Sequence, residues 1–242
     1  MFYFGQNFGF FIGSLQENIT HKHYALQVSV SFHSSLRLQV KGKDEILGQA
    51  FLINSKVEHQ LQCEGLQITL LINPLSSIGH QLFLILDTSE FSILPDPITL
   101  LFQNLLKQYT TDLPQEEIAQ SISDILREYS CLCENENHVQ DDRIIKTLSL
   151  LEHHFDEILS LEAAAAFCHL SPPRFLHLFK EKTQLNFRRY QLWNKTIKSL
   201  PFLTYHSITH TAHAFGFTDS SHYTRTFKET FGFSPKFFVS KK

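Results

Sequence analysis

The side chains best placed for chemistry in this sequence are hydrogen-bond donors and cations rather than nucleophiles. Near the C-terminus, Ser220, Ser221, His222 and Arg225 fall on one side of a helical repeat whose other side carries Tyr223 and Phe227. Earlier, Pro173, Arg174, Leu176 and His177 stand away from the apolar positions Phe175, Leu178 and Phe179. An arginine pairs bidentately with guanine, a histidine donates to a base edge, and a leucine meets a thymine methyl. Arg225 is the strongest single candidate for such a contact. Lys180, Lys182, Arg188, Arg189, Lys195, Lys198, Lys228 and Lys236 are candidates for phosphate contacts. In the N-terminal half, His21 and His23 alternate and so point to one face of a strand. No nucleophile elbow, phosphate-binding glycine loop or paired-carboxylate site accompanies them, so no catalytic residues are assigned.

The elements that must position the basic side chains form an internal repeat. Phe179-Lys180-Glu181 recurs as Phe227-Lys228-Glu229, 48 positions on; Leu185 matches Phe233 and Tyr190 matches Phe238 at the same offset, and Ala165 matches Ala212 at 47. A repeat at this period means one supersecondary unit used twice. Each copy reads as helix, tight turn, helix, over about 159–182 and 207–230. In the second, 208–215 is one helix, Gly216 supplies a left-handed turn residue, and Thr218 or Asp219 caps a helix running to about 228. In the first, 161–168 is the leading helix, His169 takes the turn position, Ser171 caps, and Pro172-Pro173 begin the second helix, where proline's missing N–H costs nothing. This is the helix-turn-helix, which lays its second helix in a DNA major groove. A helix that reaches Pro201 should end before it.

The 242 residues are 43% hydrophobic and 19% charged, with 23 Phe, 9 Gly and 8 Pro. That composition excludes collagen-like and disordered classes. No apolar run reaches the roughly 18 residues of a membrane span, and the apolar start lacks the basic head and cleavage site of a signal peptide. Four cysteines (Cys63, Cys131, Cys133, Cys168) make no disulfide framework, and Cys131-x-Cys133 is too short a spacing for zinc. A cytoplasmic protein is expected. The net charge of −3 hides a split. Residues 1–140 hold 7 Lys+Arg and 15 Asp+Glu, a balance of −8; residues 141–242 hold 14 and 9, a balance of +5. A basic tail behind an acidic body suits a polyanion-binding module.

Residues 1–96 read as β. Runs at 25–32, 36–40, 66–72 and 82–86 are rich in branched and aromatic residues with turn residues between, which argues for an antiparallel sandwich or barrel. Residues 97–137 read as helical and then as linker. Ile98, Leu101, Phe102, Leu105, Leu106 and Tyr109 make one stripe, and Ile118, Ile122, Ile125, Leu126 and Tyr129, after Pro114, make another. Either stripe could cover the sheet of its own subunit or meet a second copy, the 98–109 stripe being the candidate homodimer face. Residues 134–140 are polar and linker-like. The tail, 138–242, opens on a helix capped by Asp141 or Asp142 and bearing Ile144, Ile145, Leu148, Leu151 and Phe155. The fold class is therefore α+β in two domains.

The segment from Ala212 to Pro235, Ala-His-Ala-Phe-Gly-Phe-Thr-Asp-Ser-Ser-His-Tyr-Thr-Arg-Thr-Phe-Lys-Glu-Thr-Phe-Gly-Phe-Ser-Pro, resembles the C-terminal signature of AraC/XylS-type transcription regulators. Residues 161–190 resemble the first helix-turn-helix of that family, with His169 and Gln184 where glycine is usual. The resemblance implies two helix-turn-helix units, joined by a linker helix, that read two successive major-groove faces of double-stranded promoter DNA. It also leans toward activation rather than repression, with RNA polymerase as a partner in that case, and implies a cupin-like N-terminal barrel that binds an organic small-molecule effector or nothing; no cofactor is assigned. His21-x-His23-x3-Gln27 has the spacing of the first cupin motif, with Gln for the usual Glu. Gly48 and His59 are eleven apart, as in the second, although the Pro and Gly between them are missing. His21, His23, Gln27 and His59 could thus ligate one metal, three imidazoles and an oxygen donor making a credible first-row site; the alternative is a sensing barrel that kept the fold and lost the metal. Two alternatives stand beside a ligand-controlled regulator. One is a cupin-type metal-dependent enzyme with an appended DNA-binding tail. The other is a ligand-independent regulator governed by abundance or a protein partner.

Overall fold

The computed structural model describes residues 1–5, 7–109, 113–128, 139, 141–153 and 158–239. Tyr129, Cys131, Cys133, Phe155 and most of the 134–140 linker lie outside them. The chain divides into two compact units, Met1–His138 and Val139–Lys242.

The first unit is an antiparallel sheet covered on one side by helices. Its strands are β1 (Phe2–Phe4), β2 (Phe8–Leu15), β3 (Leu26–Ser31), β4 (Leu36–Val40), β5 (Ile46–Gly48), β6 (Ala50–Ile53), β7 (His59–Ile72) and β8 (Phe91–Ile93). The order is β1-β2-β7-β3-β6-β8, with β4 and β5 branching from β7. The 14-residue β7 serves two sheets. Its first half pairs with β4 (Leu38 opposite Leu61), its second half with β3 (Val28 opposite Leu70), and β2 lies along its other edge.

Period-2 alternation divides the interior of this unit into two faces. Leu26, Val28 and Val30 join Ile68, Leu70 and Ile72 in a core sealed by helices α1 (Ser77–Leu86), α2 (Asp96–Gln108) and α3 (Gln115–Arg127). The opposite face of β3 presents Gln27 and Ser29, paired in register with Ile53 and Phe51. Those two belong to a second cluster with Leu36, Leu38, Val40, Val57, Leu61 and Cys63.

The run at 82–86, expected as a strand, is helical: it closes α1. Ser76 caps the helix, its hydroxyl accepting from Gly79 N–H at 3.1 Å, and Leu82 and Leu86, four apart, bury on one face. A short apolar run carries no period of its own, so the cap upstream decides. The α2 stripe is used within the subunit. Ile98, Phe102 and Leu106 are buried in the first core, and Leu105 and Tyr109 pack against it. A homodimer through this segment would use the other face, where Leu100 is exposed.

The second unit is all-helical: α4 (Asp142–His153), α5 (Leu161–Phe167), α6 (Pro172–Thr183), α7 (Phe187–Leu203), α8 (Ile208–Ala214), α9 (Ser220–Phe231) and α10 (Lys236–Val239). Asp141 opens α4, its carboxylate accepting from Arg143 N–H at 3.0 Å. Helix α7 does not stop before Pro201 but runs through it to Leu203. Proline removes one donor and crowds the carbonyl four residues back. Here that loss falls in the last turn of α7, with the proline ring exposed. Ser199, Leu200 and Leu203 are buried on the opposite face, and their packing holds the helix together across it.

Candidate nucleic-acid interface

The repeat seen in the sequence is a repeat in space. Ser160 and Ser207 cap α5 and α8, their hydroxyls accepting from Ala163 and His210 N–H at 3.1 and 3.2 Å. Ala165 and Ala212 are buried, and their carbonyls accept from Leu170 and Phe217 N–H, each at 2.9 Å, closing the two turns. His169 (φ 54°) and Gly216 (φ 64°) supply the left-handed residue of each turn. Gln184 (φ 57°) and Gly232 (φ 76°) end α6 and α9 in the same conformation. Phe179 meets Tyr190, and Phe227 meets Phe238, with ring centroids 5.5 Å apart in both cases. The offset steps from 47 to 48 at the turns. Two residues separate Gly216 from the capping Asp219, but one separates His169 from Ser171.

The helices α6 and α9 are amphipathic. Phe175, Phe179, Tyr223 and Phe227 are fully buried, while Pro173, Arg174, Leu176, His177, Ser221 and Arg225 are exposed, and Ser220 and His222 half-buried. Asp219 caps α9, its carboxylate accepting from Ser221 and His222 N–H at 2.8 Å. Those N–H bonds, led by His222, hold its carboxyl below the usual range. Ser171 stands at the N-cap of α6, but its side chain makes no capping bond. Two of the face's side chains are already engaged. His177 lies 3.8 Å from Glu181, and the His222 ring meets the Thr218 hydroxyl at 2.8 Å.

The candidate phosphate partners divide. Lys180, Arg188, Arg189, Lys228 and Lys236 are exposed. Lys182 is half-buried beside Glu181 at 3.3 Å, and Lys198 pairs with Glu152 at 3.2 Å. Lys195 is not a surface cation. It is 6% exposed, donates to the Gly216 carbonyl at 2.9 Å and lies over the Phe217 ring at 5.3 Å. Desolvation lowers its pKa. It ties α7 to the turn of the second helix-turn-helix, while the 2.8 Å bond between the Ser199 hydroxyl and the buried Tyr223 phenol ties α7 to α9. Burial raises that phenol to about 12. At its other end α7 inserts Phe187 between Phe175 and Phe179, centroids 5.0 and 5.2 Å away. One helix is thereby fixed to both units. Sequence reasoning missed the roles of Lys195 and Ser199; the only local signal was their place among Thr196, Leu200 and Leu203 on the buried face of α7.

In the first unit the structure brings His21, His23, Gln27 and His59 together. The main chains of His21 and His59 exchange two 2.9 Å hydrogen bonds. The ligand-type ring nitrogens of the three histidines lie within 4.8 Å of one another. All three rings are buried, and desolvation lowers each pKa, to about 3 for His21. Gln27 Oε1 sits 2.9 Å from His23 Nε2 and 3.2 Å from His59 Nε2. From Gln27 a chain of hydrogen bonds continues through the buried Ser29 and half-buried Thr69 hydroxyls to the buried Gln67, whose Nε2 has no partner among the described residues.

Comparison with known proteins bears mainly on the second unit. Residues 164–241 match the family model described as a helix-turn-helix domain. The HTH-type transcriptional activator RhaS of Escherichia fergusonii is 32% identical over 146 residues, covering 54% of this chain and 52% of the relative. RhaS of Salmonella schwarzengrund is 33% identical over 98 residues, 40% of this chain and 35% of the relative. The chain thus spans about half, or less, of the length of these curated relatives. Among solved structures, an apo variant of ToxT from Vibrio cholerae aligns over 98% of both chains with a TM-score of 0.65 at 14% identity. Unsaturated fatty acid-bound ToxT aligns over 99% of this chain and 97% of its own with a TM-score of 0.59 at 13% identity. These two likenesses show a common two-domain fold. No helix among the described residues is long and apolar enough to cross a membrane.

Proposed function

We propose that this chain is a sequence-specific DNA-binding transcription regulator of the AraC/XylS type, a reading supported by its helix-turn-helix match and its likeness to RhaS. The observation that carries this reading is the pair of equivalent units. Each ends in a helix with a buried aromatic face and an exposed face of donors. Helix α6 would enter one major groove with Arg174, Leu176 and His177, and α9 the next with Ser221 and Arg225. Lys180, Arg188, Arg189, Lys228 and Lys236 would neutralise flanking phosphates. Activation, with RNA polymerase as partner, is favoured by the likeness to RhaS, an activator. The first unit would bind an effector in its interior, as ToxT binds an unsaturated fatty acid. The chain from Gln27 to Gln67 supplies polar groups for that purpose, Gln67 Nε2 being a buried donor with no partner among the described residues. The regulator reading requires no catalytic step.

The test is fluorescence anisotropy with DNA from upstream of its own gene, in excess competitor DNA, on the full chain and on Arg225→Ala. Binding that survives competitor and weakens by about 1–3 kcal/mol in the variant fits a base contact by Arg225. Binding that competitor abolishes, equal in both proteins, would leave only a generic polyanion binder.

A further inference from the structure

The strongest unassigned feature is the histidine cluster of the first unit, where three imidazoles and the Gln27 side-chain oxygen are gathered in a buried place. His21 Nδ1 lies 2.9 Å from the Ile19 carbonyl, His23 Nδ1 2.9 Å from that of Ala25, and His59 Nδ1 3.0 Å from that of Val57. A carbonyl only accepts, so each ring carries its proton on Nδ1 and offers a lone pair at Nε2. Two of those lone pairs face the Gln27 carbonyl oxygen, itself an acceptor, while the Gln27 amide nitrogen donates to Ser29 at 3.1 Å. With the amide in this orientation, acceptor faces acceptor in a buried place. A second proton on a ring would resolve the conflict by burying an imidazolium in a group that contains no carboxylate.

We propose that His21, His23 and His59, with Gln27 Oε1, bind one divalent first-row transition-metal ion inside the N-terminal domain. Each feature of the cluster suits that role. Histidine ligands ordinarily donate their second nitrogen to a carbonyl, which fixes ring and tautomer, and all three do so here. The backbone bridge between His21 and His59 and the Ser29 anchor on Gln27 hold the donors in advance of binding. Three imidazoles and one amide oxygen form a borderline site that suits zinc, cobalt, nickel or iron(II), whereas Mg²⁺ and Ca²⁺ require oxygen-rich shells. Metal–nitrogen bonds of about 2.0–2.1 Å place ligand nitrogens roughly 3–4 Å apart, so the rings, whose ligand atoms now lie within 4.8 Å of one another, would draw together on binding. The competing arrangement is a Gln27 amide turned by 180°, its two N–H groups donating to His23 and His59, which leaves no room for an ion.

The experiment loads chelator-treated full-length protein with Co²⁺, and separately with Zn²⁺, Ni²⁺ and Mg²⁺. It reads retained metal per chain after desalting, the Co²⁺ d–d spectrum, and the thermal midpoint. The expected result is one Co²⁺ per chain with a nitrogen-rich ligand spectrum and a midpoint that rises with metal concentration, and no response to Mg²⁺. His21→Gln/His59→Gln should weaken Co²⁺ binding at least about 100-fold, since loss of the groups behind a ligand alone costs 10–100-fold. Should that variant fail to fold, Gln27→Glu decides. A carboxylate at this place should tighten Co²⁺ binding at least about tenfold if it ligates a metal. In the turned-amide arrangement it leaves an unpaired buried carboxylate, destabilises the domain and gains no metal. Wild-type protein that retains no Co²⁺ overturns the proposal. So does retention that the histidine variant shares, because surface histidines would then be the ligands.

Discussion

His169 and Gly216 occupy the same place in two copies of one turn, with φ of 54° and 64°. The left-handed region costs an L-residue roughly 1–2 kcal/mol that glycine does not incur. His169→Gly should therefore raise the stability of the C-terminal domain by about 0.5–1 kcal/mol, part of the relief being offset by the freer unfolded chain. Gly216→Ala should lower it by about 1–2 kcal/mol. Trp193, the single tryptophan, lies in α7 and reports on this domain directly. Urea unfolding followed by its fluorescence would show the two midpoints moving in opposite directions. Equal shifts would mean that the turns are not equivalent. A histidine at such a position also places a ring on the surface of the first unit, where the second has none.

At the scale of elements, α7 decides where the two recognition helices stand. Lys195, read from the sequence as a phosphate partner, is instead a strut between that helix and the Gly216 carbonyl. The distinction is measurable. Lys228→Ala, at an exposed position, should weaken DNA binding and reduce the slope of log K against log salt by about 1. Lys195→Ala should leave that slope unchanged while lowering domain stability by about 1–3 kcal/mol, the range for a lost charge-assisted bond. A reduced slope in Lys195→Ala would restore the surface reading. Some of this architecture was legible and some was not. The two helix-turn-helix units were legible because their caps, turns and aromatic positions recur at a fixed offset. The burial of Lys195 depends on a carbonyl 21 residues away, which leaves no local mark. The passage of α7 through Pro201 depends on the packing of Ser199, Leu200 and Leu203, which outweighs a local penalty. The helix at Ser77–Leu86 was hidden because a run of five apolar residues fits either period. The histidine cluster was legible only as spacing; that His21 pairs with His59 across a bridge and that Gln27 faces two rings are facts of the folded sheet.

At the scale of the molecule, the charge split and the two cores fall together. The acidic residues concentrate in a unit whose cores are built from β-strands and α1–α3. The basic surplus lies on a unit with its own buried set, including Ala164, Phe175, Phe179, Phe187, Leu200, Leu203, Ala212, Tyr223 and Phe227. A unit with a separate core and the basic face should fold and bind DNA by itself. The fragment 139–242 is therefore expected to unfold cooperatively by Trp193 fluorescence. It should also lose the same 1–3 kcal/mol as the full chain on Arg225→Ala, because the contact lies entirely within it. Its affinity should exceed that of the full chain at low salt, where removal of a unit with a balance of about −8 takes away long-range repulsion from the phosphates. That advantage should vanish near 1 M salt, where the Debye length falls to about 3 Å. A fragment that binds more weakly than the full chain at every salt concentration would show that the N-terminal unit assists DNA binding directly, by pairing two chains or by contacting the duplex.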